Sequence, residues 1–134
     1  MSNEDLARRA VASPHWRWIP GMLAIHPNWR EYRVSHVGLT GMHGACRYAS
    51  PMGGVERAVV ALPLPTSSDV LPDLTDPATV GCLLALVREA YDDRDAFVGR
   101  YAGYWTFETL DPMAPRVTAP TEAHCLVAAL EAAP

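Results

Sequence analysis

A chain of 134 residues, 49% hydrophobic and 19% charged, can bury a core in one domain without disulfide or metal staples, and its composition is far from that of disorder. Its net charge of -4, spread without long runs, excludes a surface built to grip nucleic acid, because that affinity comes from clustered Lys and Arg. All 11 basic residues are arginines, which also excludes lysine Schiff-base chemistry and a phosphate-loop lysine.

Ser2 or Asn3 can cap a short helix with Glu4 and Asp5 in its first turn and Leu6, Ala10 and Val11 on one side. The helix should stop near Ser13-Pro14, because the residue before proline avoids helical angles. Its start has no long apolar run behind a basic flank, and nowhere do about 18 apolar residues follow one another, so neither a signal peptide nor a membrane span is expected. A cytoplasmic location is the expectation.

The segments His15 to Ile19 and Met22 to His26 have strand composition on either side of the Pro20-Gly21 corner, and Pro27-Asn28 makes a turn. In EYRVSHVGL, Tyr32, Val34 and His36 alternate with Arg33, Ser35 and Val37, the period of a half-buried strand. GMHGACRYASPMGG reads as a glycine-rich loop. VERAVVALPL reads as an apolar strand ended by Pro63 and Pro65, and PTSSDVLPDLT as a polar connection.

In DPATVGCLLALVREAY, Asp76 caps a helix, Pro77 takes its first position, and Val80, Leu83, Leu84, Val87 and Tyr91 form its apolar stripe. AFVGRYAGYWTFETL is one bent strand or a hairpin turning at Ala102-Gly103; alanine is a poor first residue for the preferred turn. After the loop DPMAPRVTA, Thr121 caps a last helix with Ala123, Leu126, Val127 and Leu130 inward. The backs of the two long helices carry small residues, Gly81, Cys82 and Ala85 on one and Cys125, Ala128, Ala129 and Ala132 on the other. Small backs allow close packing against each other or against a second copy.

This order implies a single α+β domain over residues 1–134. It is a mainly antiparallel sheet sandwiched by helices, with those at about 77–91 and 122–132 on one face and the short N-terminal helix elsewhere.

Chemistry-bearing motifs are sparse. His36, His43, Cys46 and His124-Cys125 invite a zinc reading, but the spacing lacks two close ligand pairs, so no metal is expected. Cys46, Cys82 and Cys125 have no paired spacing and read as small, reduced core residues rather than a disulfide framework or a nucleophile. Asp92, Asp93, Asp95 and Glu108 read as solvated charge, and the glycines of the 41–54 stretch match no phosphate-binding pattern. No catalytic constellation and no cofactor are expected.

The stretches WRWIPGM, PDLTDPATVGCLLALVREAY, YWTFETL and PTEAHCLVAALEAAP together resemble the small phage and prophage proteins grouped as the phage ABA-sandwich domain. The resemblance spans about two thirds of the chain. It implies a sheet between helices and a viral origin, with the host cytoplasm as location, and it carries over no catalytic residue. Residues 26 to 66 depart from it as a longer strand-loop-strand insertion, and loops on a rigid scaffold are where binding tends to reside.

The candidate ligand- or partner-binding residues are therefore Arg17, Trp29, Arg30, Arg33, His43, Arg47 and Tyr48, of which all but Arg17 belong to the insertion. The expected function is that of a non-enzymatic accessory protein that binds a host or phage protein and forms a homodimer, with no nucleic-acid or membrane partner. The alternative is a small-molecule or nucleotide-binding module using tryptophan and arginine to stack a base or hold an anion.

Trp16 and Trp18 decide part of that choice. Two residues apart in an extended chain, their rings point to one side and are read as core, with Arg17 on the other side. Trp18→Ala should then cost roughly 3 to 5 kcal/mol in urea unfolding, while Arg17→Ala should leave the midpoint nearly unchanged.

Overall fold

The computed structural model describes residues 2–26, 29–39, 41–49, 55–63 and 70–134, with the side chains of residues 26, 29, 30, 47–49 and 55–63 outside the described set. The protein is α+β, with two antiparallel sheets and three helices among the described residues. The chain forms two compact units, Trp18–Thr79, and Met1–Arg17 with Val80–Pro134.

In the Trp18–Thr79 unit, strands β1 (Leu23–His26), β2 (Trp29–Val37), β3 (Gly41–Ala49), β4 (Val55–Pro63) and β5 (Leu71–Pro72) form one sheet in the order β4-β3-β2-β1-β5. All neighbours are antiparallel. The sheet buries Met22, Leu23, Ala24, Tyr32, Val34, Met42 and Cys46, joined in the core by Trp18, Val70, Leu71 and Leu74.

The sequence expectation of a strand over His15–Ile19 is not met. His15 donates its amide to Ser13 Oγ at 3.2 Å and Trp16 donates to the Ser13 carbonyl at 3.0 Å, so Pro14 opens a turn after the first helix and residues 16–19 follow as irregular chain. Trp18 is buried and Trp16 half-buried, and neither lies on a strand. The Pro20-Gly21 corner does form: Met22 donates to the Ile19 carbonyl at 3.3 Å across it. Gly21 has φ of 101°, the left-handed angle that the third position of a type II turn requires and glycine supplies without strain.

The larger correction concerns the glycine-rich stretch, which is a loop by composition and a nine-residue strand, β3, in the structure over residues 41–49. Gly44 explains the discrepancy. A Cβ on it would overlap the Arg33 carbonyl oxygen and stand 2.6 Å from the ring of Tyr32. Tyr32 lies fully buried across the glycine and donates its hydroxyl to the Met42 carbonyl at 3.0 Å. A neighbouring aromatic ring thus covers the bare backbone that would otherwise weaken the strand.

A second departure lies in β2. The pairing steps from Val34 opposite Gly44 to His36 opposite His43, so two residues of β2 advance for one of β3. This β-bulge breaks the strict alternation. His36, expected with Tyr32 and Val34, is exposed instead.

In the other unit, α1 (Asn3–Ala12) is capped by Ser2, whose hydroxyl accepts from the Asp5 amide while the Asp5 carboxylate accepts from the Ser2 backbone. Leu6, Ala7 and Ala10 are its buried face. It packs against α3 (Glu122–Ala132), with an ion pair between Arg9 and Glu131. The helix α2 (Pro77–Ala90) buries Leu83, Leu86 and Val87 and leaves Leu84 only half-buried, so its inward stripe is rotated from the expected one.

β6 (Phe97–Tyr101), β7 (Tyr104–Glu108) and β8 (Val117–Ala119) form the second sheet in that order. Ala102 and Gly103, with φ of 50° and 85°, make the two-residue corner of a hairpin despite the poor first residue. β8 falls in what the sequence presents as a loop. On α3, Thr121 caps as expected, accepting from the His124 amide at 3.1 Å. Cys125 and Ala129, expected on a small-residue back, are fully buried with Leu126, Val127 and Leu130, because α1 as well as β6, β7 and β8 pack against this helix.

Gly44→Ala should destabilise the protein by at least about 1 to 3 kcal/mol, the usual cost of overpacking, since backbone as well as a ring obstructs the new methyl. Urea unfolding measures this, and the same substitution at Gly81, where a Cβ meets nothing within 4 Å, should not destabilise.

Candidate functional site

Arg33 projects from β2 toward the chain that precedes α2. Its Nη1 donates to Asp76 Oδ2 at 2.6 Å and to the Gly21 carbonyl at 2.8 Å, and its Nη2 donates to Asp76 Oδ1 at 2.9 Å. The two-pronged geometry is the strong form of an arginine-carboxylate pair. Asp76 Oδ2 also accepts from the amide of Thr79 at 2.9 Å and from its hydroxyl at 2.8 Å, which makes it the helix cap anticipated from its sequence position. Thr79 Oγ1 in turn accepts from the Leu23 amide at 2.8 Å, so a buried threonine links the helix start to β1.

Arg33 and Asp76 line a cleft of about 610 Å³ with Leu23, Glu31, Ala45, Asp73, Thr75 and Pro77. Arg33 serves as a clamp there, since both ends of its guanidinium are committed to protein acceptors. The Arg33 guanidinium holds the Asp76 carboxyl down at about 2, with the Thr79 bonds adding to the effect against desolvation.

The other candidates divide. Arg17 is exposed and its guanidinium reaches Glu89 on α2 at 2.6 Å, with both side chains more than half exposed, a pairing of small energetic weight. Around it Pro14, His15, Trp16, Leu86 and Ala90 line a depression of about 390 Å³. His43 is exposed on β3 beside His36. Trp29 and Arg30 begin β2, and Arg47 and Tyr48 lie toward the end of β3, with Arg47 opposite Glu31; their side chains lie outside the described residues. Arg17 belongs to one unit, and Arg33 and His43 to the other.

Cys125 is no nucleophile candidate, because burial pushes its thiol up to about 11 and a nucleophilic cysteine needs the opposite shift. Among the described residues no helix is long and apolar enough to cross a membrane.

A cleft of about 520 Å³ escaped the sequence reading. Tyr91, Leu110, Met113, Pro115 and Ala132 supply its apolar lining, and Asp92, Asp93 and Asp111 supply its charge. Asp93 organises the connection, its Oδ2 accepting from the Leu110 amide and its Oδ1 from the Asp95 amide, both at 2.9 Å. These bonds, the Leu110 one foremost, lower the Asp93 pKa. Asp111 accepts from the Met113 amide at 2.9 Å, and Ala114 donates to the Asp111 carbonyl at 3.1 Å. Leu110 and Met113 are consequently held out at 74% and 88% exposure. The available signal was a leucine and a methionine set among Asp and Pro in LDPMAP, a composition that turns a chain but does not bury it.

No protein-family model, curated protein or solved structure matches this chain.

The clamp has a pH signature. Because the folded-state pKa of Asp76 is depressed from 3.8 to about 2, its contribution is complete above the unfolded value and is lost as pH falls from about 4 through 2. Asp76→Asn should cost roughly 1.5 to 3 kcal/mol near neutrality and should flatten the acid limb of a stability-pH profile in that window, read by urea unfolding.

Proposed function

We propose that this protein is a non-enzymatic accessory protein of the phage type that acts by binding another protein, of host or phage, at the cleft beneath Leu110 and Met113. The observation that carries the reading is the pair of large apolar side chains presented to solvent by a loop held through its own hydrogen bonds. Burying such a side chain is worth about 1.5 to 3 kcal/mol, and a loop already ordered loses little freedom on docking. Methionine adds a flexible, polarizable contact that adapts to its partner.

Charge selects the occupant. The charged residues described in the lining are aspartates, so the fitting partner is a segment with an apolar anchor flanked by Arg or Lys, whose positive field complements the rim. The nucleotide-binding alternative draws less support, because Arg17 and Arg33 already face carboxylates.

The resemblance to the phage ABA-sandwich proteins enters this reading as its source of viral origin and of the layering in which α2 and α3 cover one sheet face. Self-association into a homodimer belongs to the same proposal, supported by Phe97, Tyr101 and Tyr104, which expose 41%, 51% and 60% of their surface on the β6–β7 hairpin. Aromatic residues are enriched at interfaces of this kind.

Selection of a random displayed peptide library on the purified protein should enrich peptides with an apolar residue flanked by Arg or Lys. Met113→Glu should weaken the selected peptides about tenfold or more, equivalent to 1.4 kcal/mol, with an unchanged melting temperature. Failure to enrich any motif, or binding that survives the Met113 change, would refute the reading.

A further inference from the structure

Strict alternation along β2 would leave His36 on the core face and His43, across the ladder on β3, on the opposite side. The bulge at Ser35 reverses this. With Ser35 as the extra residue, its hydroxyl donating to the His43 carbonyl at 3.1 Å, His36 pairs directly with His43. Both side chains are exposed, with ring centroids 5.9 Å apart and planes inclined by 33°.

We propose that His36 and His43 form a two-imidazole site for a divalent transition-metal cation of the nickel and copper class. Two imidazoles bound to one ion at about 2.0 to 2.1 Å have ring centres about 4.5 Å apart at a right angle and about 5.2 Å apart at the tetrahedral angle, so the observed separation closes by side-chain rotation of about 1 Å. The ladder between β2 and β3 fixes both backbones, and the second ligand is therefore delivered at high effective concentration once the first has bound. Neutral imidazole suits Ni²⁺, Cu²⁺ and Zn²⁺, and the Irving–Williams order favours the first two for a nitrogen donor set.

Cys46, three residues beyond His43, is buried on the core face and contributes no thiolate. Among the described residues no group of three or more His, Cys, Asp or Glu could hold a metal. An ion held by these two rings alone keeps its remaining positions for water or a ligand from solution, which makes it exchangeable and leaves it an open coordination side. Bound ion would also bridge β2 and β3, stabilising the native state by mass action.

Ni²⁺ is the suitable probe, because it prefers nitrogen and oxygen donors to thiolate. Titration of untagged protein by calorimetry should give one Ni²⁺ per chain and a melting temperature that rises with added metal. His36→Ala and His43→Ala should each weaken binding about tenfold or more, the double variant should be little worse than either, and far-UV circular dichroism should be unchanged. His15→Ala and Cys82→Ser should leave the affinity as it was. Absence of binding at millimolar Ni²⁺, two ions per chain, or an affinity that survives either histidine substitution would overturn the proposal.

Discussion

One arginine ties together three pieces of the Trp18–Thr79 unit that lie far apart in sequence. Arg33 stands on β2, takes the carbonyl of Gly21 from the turn that precedes β1, and grips both oxygens of Asp76, the residue that starts α2. The turn needs Gly21 for its left-handed angle, the helix needs Asp76 for its unpaired amides, and the strand supplies the cation that joins them. Thr79 closes the circuit by accepting from the Leu23 amide. Removing either charge would leave the other facing a cleft without its partner, which is costlier than never having placed the pair. The helix start is tied to β1 and β2 by these bonds.

The helices were legible in the sequence because their ends are written in single residues. Ser2, Asp76 and Thr121 occupy the caps their chemistry suggests, and the α+β class follows from the order of elements. The strands were less so, because their defining contacts are remote. Gly44 sits in a strand because Tyr32, on the neighbouring strand, occupies the space of its missing side chain. The sequence contains both residues but not their register. The bulge at Ser35 is invisible for the same reason: it is a mismatch between two strands, and period-two reading of one strand cannot contain it. His15 to Ile19 fails differently, since strand composition is only a tendency and the turn at Pro14 takes the preceding hydrogen bonds.

The candidate site was legible only where a residue stood out chemically. Arginine reads as an anion ligand, and Arg33 does hold an anion, but one inside its own chain. Its partner Asp76 reads as a helix cap, so the sequence marks each half of the clamp but not the link between them. Leu110 and Met113 do not stand out, because an apolar residue in a short polar loop carries no periodic signal. Their prominence comes from Asp93 and Asp111, which hold the loop by its backbone.

The narrow strand β5 bears on the fate of the sheet's edge. It consists of Leu71 and Pro72 paired with Ile25 and Ala24, and its second residue has no amide hydrogen to offer. An incoming chain would find almost no ladder there to extend, whereas a long, flat edge invites strand addition and, with it, fibrillar aggregation. Two residues at the margin of the sheet thus help keep a chain rich in β structure from growing into its neighbours on that side.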